Sequence, residues 1–214
     1  MKIKFQILTS KESWFFSNHK KHVLKKYKKY FSKKVITSHT KIKDGNDIVI
    51  IMSYYKIIPK KYLKKSKHNL VVHESDLPKG RGFSPLYWQI LDGKTNIVFS
   101  LFECSEKMDG GDIYFKKKFK FSPNLIFEEI KIKQMNSALS LIEKFFYNYS
   151  KKKKIKSYRQ KGKSSIFKRI KQNMSKLDIN KSIKSQMNII RTRDNKNFPS
   201  FFIYKRKKFV IKVY

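Results

Sequence analysis

Cysteine is nearly missing from this chain of 214 residues: Cys104 is the only one. A disulfide framework and a cysteine-based zinc site are therefore both excluded. Alanine occurs once, at Ala138, and there are only 7 glycines and 5 prolines. Acidic residues are few, 15 against 52 Lys and Arg. No apolar run approaches the roughly 20 residues that span a bilayer. The longest, Ile48 to Met52, has the length of a strand. The opening residues lead at once into Ile3-Lys4-Phe5-Gln6-Ile7-Leu8, which reads as a first strand and not as a signal peptide. A cytoplasmic protein with no membrane partner is expected.

What is present is apolar material and positive charge. Hydrophobic residues make up 40%, with 18 Phe and 12 Tyr, enough for one core in a domain of this length and too much for global disorder. The net charge of +37 by default suggests a polyanionic partner. Yet 46 of the 52 cations are Lys, and Ala, Gly, Pro and Arg together number 19. Lys, Asn, Ile, Phe and Tyr have AT-rich codons, so genome composition takes the larger share of the explanation. The charge is also unevenly placed. Asn69 to Tyr114 holds 4 cations and 7 acids, whereas Lys151 to the end holds 22 cations against Asp178 and Asp194.

Apolar periodicity divides the chain into short elements. Ile3–Thr9, Val35–Thr37, the β-branched run Ile48–Met52, Leu70–His73 and Asn96–Phe102 are predicted strands. A run apolar on alternate and adjacent positions, like Ile48–Met52, belongs to a sheet buried on both faces. Trp14–Phe31, Pro59–Lys65, Pro85–Leu91 and Asn136–Tyr149 are predicted helices, the last with Asn136 as its cap. Lys151–Lys163 reads as a solvated lysine-rich connector. Beyond it, Asp178 caps a helix with the stripe Ile179, Ile183, Met187 and Ile190, and Phe201–Tyr204 with Phe209–Ile211 form a closing hairpin. The fold class is α/β, with a mainly parallel sheet flanked by helices and a short C-terminal helix-plus-hairpin extension. The expected organisation is 1–150 for the main domain, 151–163 for the connector and 164–214 for the extension.

The richest segment runs from Asn69-Leu70-Val71-Val72-His73 through Glu74-Ser75-Asp76-Leu77-Pro78-Lys79-Gly80-Arg81-Gly82 to Trp88. His73 ends an apolar run, at the carboxyl end of a strand, where ligands of open α/β sheets bind. Asp109-Gly110-Gly111-Asp112 follows the next strand and can return to the same edge. Gly80-x-Gly82 is no dinucleotide fingerprint, because Pro85 stands in the place of the third glycine. His19, His22, His39 and His68 lack ligand spacing and read as surface residues, so no metal is expected. From spacing alone, His73 and Asp109 are a suggestive pair beside the commoner readings of a structural His and a turn.

His73-x-Ser75-x-Leu77-Pro78-x-x-Arg81-Gly82-x-x-Pro85, with Asp109-x-Gly111-Asp112-Ile113 beginning 36 residues after His73, resembles the signature of the 10-formyltetrahydrofolate-dependent formyltransferases. Tyr55-Lys56-Ile57-Ile58-Pro59 is similar to the family's loop before its catalytic strand, and Ile190–Asp194 with Phe198–Phe202 to the segment after its catalytic domain. The resemblance implies a Rossmann-like domain that moves a formyl group from 10-formyltetrahydrofolate to a primary amine. It assigns His73 and Asp109 to catalysis. It places the folate near Tyr54, Tyr55, Ile57, Gly110, Gly111 and Asp112, and the acceptor near Ser75, Arg81 and Trp88. The family's Asn, two residues before the His, is replaced by Val71, leaving Asn69 as a substitute donor four residues before it. The acceptor expected is an amino sugar on a nucleotide, since the chain ends too soon after Phe198-Pro199 for the further β-barrel domain of the methionyl-tRNA enzymes. Two alternatives stay open: formylation of aminoacyl-tRNA, and a non-catalytic RNA-binding relative. A homodimer is an open assembly state.

Overall fold

The computed structural model describes residues 3–16 and 35–214. Most of the expected helix Trp14–Phe31, with His19 and His22, lies outside the described residues. In chain order the elements are β1 (Phe5–Leu8), β2 (Val35–Ile36), β3 (Asn46–Ile51), α1 (Lys60–Leu63), β4 (Ser66–His73), β5 (Arg81–Gly82), α2 (Pro85–Leu91), β6 (Asn96–Glu103), β7 (Ile113–Lys120), α3 (Phe127–Ser150), β8 (Ile166–Phe167), α4 (Ile183–Arg191), β9 (Ser200–Tyr204) and β10 (Lys207–Ile211). Six of the strands form one sheet in the order β2-β1-β3-β4-β6-β7. The β1–β2, β1–β3 and β3–β4 pairings are parallel, while β4–β6 and β6–β7 are antiparallel. Among the described residues no helix is long and apolar enough to cross a membrane.

The period of two along a strand sorts its side chains to opposite faces. Phe5 and Ile7 of β1, Ile48 and Ile50 of β3, and Phe99 and Leu101 of β6 enter one core with the buried side of α3: Ile130, Met135, Leu139, Ile142, Phe145 and Phe146. Leu8, Val49 and Ile51 turn to the other face and pack with Ile36, Ile42 and Ile58. This double burial explains the unbroken run at Ile48–Met52. Each fully buried side chain of this size contributes about 1.5–3 kcal/mol.

Four sequence expectations are corrected. β7 was not foreseen, because Lys116, Lys117, Lys118 and Lys120 are exposed along it. Such lysines suit an edge strand, whose free side faces water. The long helix begins at Phe127, and Asn136 is an exposed interior residue of it instead of its cap. The start is set by Glu129, whose Oε2 accepts from Ile126 N at 3.0 Å, and by the favourable placement of Glu128 and Glu129 at the positive end of the helix dipole. At the C-terminal helix, Ser182 is the cap, accepting from Ser185 N, and Asp178 lies outside the helix. Of the expected stripe only Ile190 is buried, Ile183 being 67% exposed. α4 is fastened instead by Arg191, which donates to Ser122 O and Leu125 O, and by Arg193, which donates to Met174 O and lies 4.5 Å from the Tyr87 ring. Of the histidines expected at the surface, the two described, His39 and His68, are half-buried and have protein partners. His68 bonds Tyr114 and sits against Phe145 and Tyr149, and His39 bonds Tyr54 Oη.

Besides the buried Arg191 and Arg193, the half-buried Lys131 has its ammonium enclosed by other side chains. Lys131 Nζ donates to Gln134 Oε1 at 3.1 Å and lies over the Trp14 and Phe127 rings at 4.9 and 5.4 Å. Burial lowers its ammonium from 10.5 to about 8, against the pull of Glu74 and Asp194. Between those two values the unfolded chain holds a proton that the folded chain has lost, so this group's contribution to stability rises with pH across the interval. The difference in urea midpoint between the natural protein and Lys131→Met should therefore climb from pH 8 to pH 10.5. A difference independent of pH there would remove the buried cation from the account.

Candidate active site

His73 is the last residue of β4, paired with Ser100 of β6, and only 6% exposed. Its Nε2 lies 2.7 Å from Gly80 O. A carbonyl only accepts, so Nε2 carries the hydrogen and donates it. The chain between these residues is pinned to the sheet: Ser100 Oγ donates to Ser75 O, and Lys116 Nζ to Leu77 O. The loop thus curls back over the imidazole and brings Gly82 to a second loop, where Gly82 N donates to Asp109 Oδ2 at 2.8 Å. Asp109 has φ of 46°, a left-handed backbone that non-glycine residues seldom adopt. Its Oδ2 stands 3.8 Å from His73 Nε2, with the two side chains 17% and 8% exposed. That separation is too long for a direct hydrogen bond. The imidazole N–H, engaged by Gly80 O, and the carboxylate, engaged by Gly82 N, thus stand side by side without a direct bond.

Each loop has a position that excludes a Cβ. A Cβ on Gly111 would stand 1.6 Å from Glu103 O, and one on Gly82, at φ 96°, would stand 2.5 Å from Phe167 O. Behind the loops is a carboxylate network. Glu103 accepts from Asn69 N at 2.6 Å and from Tyr114 Oη at 2.7 Å, and burial and this carboxylate push the Tyr114 phenol well above its usual range. Burial, with Glu103 and Asp109 adding to it, pushes the Cys104 thiol up to about 12. A thiol held protonated at neutral pH is no nucleophile.

The structure brings together some of the expected residues and parts others. His73, Asp109 and Gly111 share the two loops. Ser75 Oγ and Arg81 Nε are buried with no protein partner, so polar atoms remain for a ligand beside the imidazole loop. Tyr55 and Ile57 are 44% and 55% exposed on the stretch after β3, the strand next to β4. Asn69 does not reach the pair: its Nδ2 donates to Leu63 O and its Oδ1 accepts from Ser66 Oγ, so both ends are committed at the far end of β4. Val71 packs with Leu77, Phe102 and Ile113. Trp88 stacks on Phe167 and donates to Lys168 O, and Tyr54 Oη bonds His39, so each has protein partners at its polar atom. Gly110 lies over the Lys107 side chain and Asp112 O accepts from Glu103 N.

Three residues at the site were missed. Gln160, Ser165 and Phe167 come from the segment read as connector and from the start of the extension. Gln160 Nε2 donates to Asp109 O and Gly111 O, both at 2.8 Å, while its Oε1 accepts from Arg81 Nη2 at 2.6 Å. Ser165 Oγ accepts from Gly80 N, and β8 pairs with β5 in parallel. The lysines around Gln160 are exposed as expected. The one signal in the sequence was the break of the lysine run by Tyr158, Gln160 and then Ile166-Phe167.

A histidine and a carboxylate gathered by glycine loops at the carboxyl end of a mixed α/β sheet define a domain built to handle a small ligand there. The family model described as Formyl transferase matches residues 9–142, more than half of the sequence, and the chain belongs to that family. It is 28% identical over 169 residues to the methionyl-tRNA formyltransferase of Finegoldia magna, a match covering 78% of this chain and 54% of that protein. The chain thus spans about half the length of this relative. Among solved structures, the methionyl-tRNA formyltransferase from Clostridium thermocellum superposes with a TM-score of 0.76 at 21% identity, over 99% of this chain and 92% of that one. WlaRD, described as a sugar 3N-formyl transferase in the presence of dTDP and 5-N-formyl-THF, superposes at 0.69 and 18% identity, over 97% and 85%. At these identities the superpositions establish the fold.

The glycine contacts carry a test. Gly111→Ala should cost about 3 kcal/mol or more, because the clash is with fixed backbone. Gly110→Ala meets only the flexible Lys107 side chain and should cost much less. Urea unfolding compares them, and equal losses would contradict the packing described.

Proposed function

We propose that this chain transfers the formyl group of 10-formyltetrahydrofolate to a primary amine, the acceptor being an amino sugar on a nucleotide. The observation that carries the reading is the 3.8 Å approach of His73 Nε2 and Asp109 Oδ2 where the two loops meet. The residues present fit the folate. Tyr55 and Ile57 offer exposed apolar surface at the same sheet edge, and Ser75 Oγ and Arg81 Nε are buried polar atoms awaiting partners. When bound, 10-formyltetrahydrofolate supplies the formyl carbon and a nitrogen that takes up a proton as that carbon leaves.

The rest is the work of the chain. An amine attacking a formyl carbon must lose a proton, and Asp109, the carboxylate beside the imidazole, accepts it directly or through one water. Negative charge develops on the formyl oxygen, and the Nε2–H of His73 turns from Gly80 O toward it. Asn69 takes no part, since both ends of its amide are committed elsewhere. With Val71 in place of an amide, His73 is the side-chain donor at that point. The balance is one C–N bond formed, one broken, and one proton passed from the amine to the folate nitrogen.

The sugar-nucleotide acceptor is supported by the extensive likeness to WlaRD, whose description names dTDP. A second acceptor, methionyl-tRNA, is supported by the relative from Finegoldia magna and by the 22 cations from Lys151 onward. His73→Asn and Asp109→Asn should each lower kcat/KM by about 10²–10⁴-fold, the usual worth of positioned acid–base groups, with unchanged circular dichroism. Product is read as the mass gain of one formyl group on a dTDP-linked amino sugar or on methionyl-tRNA. Full turnover in both variants would dismiss these roles. Activity on methionyl-tRNA alone, weakening steeply with salt, would replace the sugar nucleotide as acceptor.

A further inference from the structure

We propose that Gln160 is a positioning residue for Asp109, and that the segment from Tyr158 to Phe167 is a strap holding the two catalytic loops in register. The inference rests on the reading of His73 and Asp109 as the reacting pair. It begins from the amide itself. Asp109 O and Gly111 O can only accept, and the Arg81 guanidinium can only donate, so the orientation of the Gln160 amide is fixed by its partners. One side chain thereby joins the loop after β4, through Arg81, to the loop after β6, at the residue that carries the carboxylate.

Without it, the carboxylate is tied to the imidazole loop by the single bond from Gly82 N. The φ of 46° at Asp109 is an unfavourable backbone that persists only where surroundings impose it, and Gln160 grips the carbonyl of that same residue. The rest of the strap is stitched on both sides of this point. Tyr158 exchanges backbone bonds with Ile113, Ser165 accepts from Gly80 N and Arg81 N, and Phe167 O accepts from Phe83 N. The Phe167 ring lies so close to Gly80 that a Cβ there would stand 2.6 Å from it. These contacts fall on the stretch that carries His73's partner, on the Asp109 loop, or on Ile113, where that loop enters β7, and none is made to the His73 or Asp109 side chain. The strap sets where the two groups stand and leaves the chemistry to them.

Two substitutions separate this role from simple stabilisation. Gln160→Glu keeps the length and the acceptor for Arg81 but loses both donors and sets a carboxylate against two carbonyls. Gln160→Met removes the polar contacts without adding charge. Both should lower kcat by about 10²-fold, the scale of an ångström's misplacement, with KM for 10-formyltetrahydrofolate nearly unchanged. The hydrogen-bonded Nε2–H proton resonance of His73, assigned by its loss in His73→Asn, should shift in both variants of the free enzyme. Assays use a dTDP-linked amino sugar, or methionyl-tRNA if that is the acceptor found. A folded Gln160 variant, either one, that keeps kcat and leaves the resonance in place overturns the proposal. If Asp109→Asn also keeps full kcat, the reading of the pair falls with it. If Asp109→Asn is inactive while the folded Gln160 variants turn over normally, the positioning role alone falls.

Discussion

The site depends on the closeness of two loops that leave the sheet on neighbouring strands. His73 Nε2 holds Gly80 O at 2.7 Å, and Gly82 N, two residues on, holds Asp109 Oδ2 at 2.8 Å. These two bonds convert a histidine and an aspartate 36 residues apart in sequence into groups 3.8 Å apart in space. Each loop is also packed closely against its surroundings: a Cβ on Gly82 would intrude on Phe167 O and one on Gly111 on Glu103 O. Of the 7 glycines in the chain, four (Gly80, Gly82, Gly110 and Gly111) lie in these two loops, and a Cβ on any of them would meet a neighbour within 3 Å.

The electrostatics follow the same division. The stretch from Asn69 to Tyr114, which holds both loops, carries 7 acids and 4 cations inside a chain of +37. Glu103 serves this stretch twice, accepting the backbone of β4 at Asn69 and the phenol of Tyr114 on β7. Glu74, the neighbour of His73, is bonded by Gln134 of α3, which also accepts from Lys131. The long helix is thus coupled to the end of β4 through a polar chain as well as through its apolar face. Most other lysines stay in water, where the solvent and dissolved salt screen their mutual repulsion and the biased composition is tolerated.

Much of this architecture was legible because it rests on local chemistry. The alternation within β3, the Pro59 and Pro85 helix starts and the hairpin at Lys205-Arg206 each have short-range causes. The hairpin's two turn residues both take positive φ, as a tight connection between twisted strands demands. What escaped was set by neighbours distant in sequence. β7 is written in lysines, since one side of it meets water, and its pairing with β6 is what makes it a strand. Asn136 resembles a cap, but the helix continues through it because Glu129 caps it earlier and Ile130 and Gln134 find buried places. His73 and Asp109 stood out through their motifs. Gln160 lacked any such mark, because its partners are two carbonyls and a guanidinium supplied by chain 49 to 79 residues away.

Val71 shows how such a site can tolerate a departure at a prominent position. Its side chain joins Leu77, Phe102 and Ile113 in a small apolar cluster directly beneath the two loops. An amide there, with no bound ligand, would need buried partners that this cluster does not contain. The half-buried valine instead packs its apolar side chain against that cluster, which contains Leu77 of the first loop and Ile113 at the end of the second. On the proposed reading, fewer donors face the formyl oxygen, so a larger share of the charge falls on the one imidazole N–H. That arrangement works only if the imidazole and the carboxylate are held accurately. The glycine contacts and the bonds from Tyr158 to Phe167 supply that constraint, and they link the apolar substitution at 71 to the polar strap.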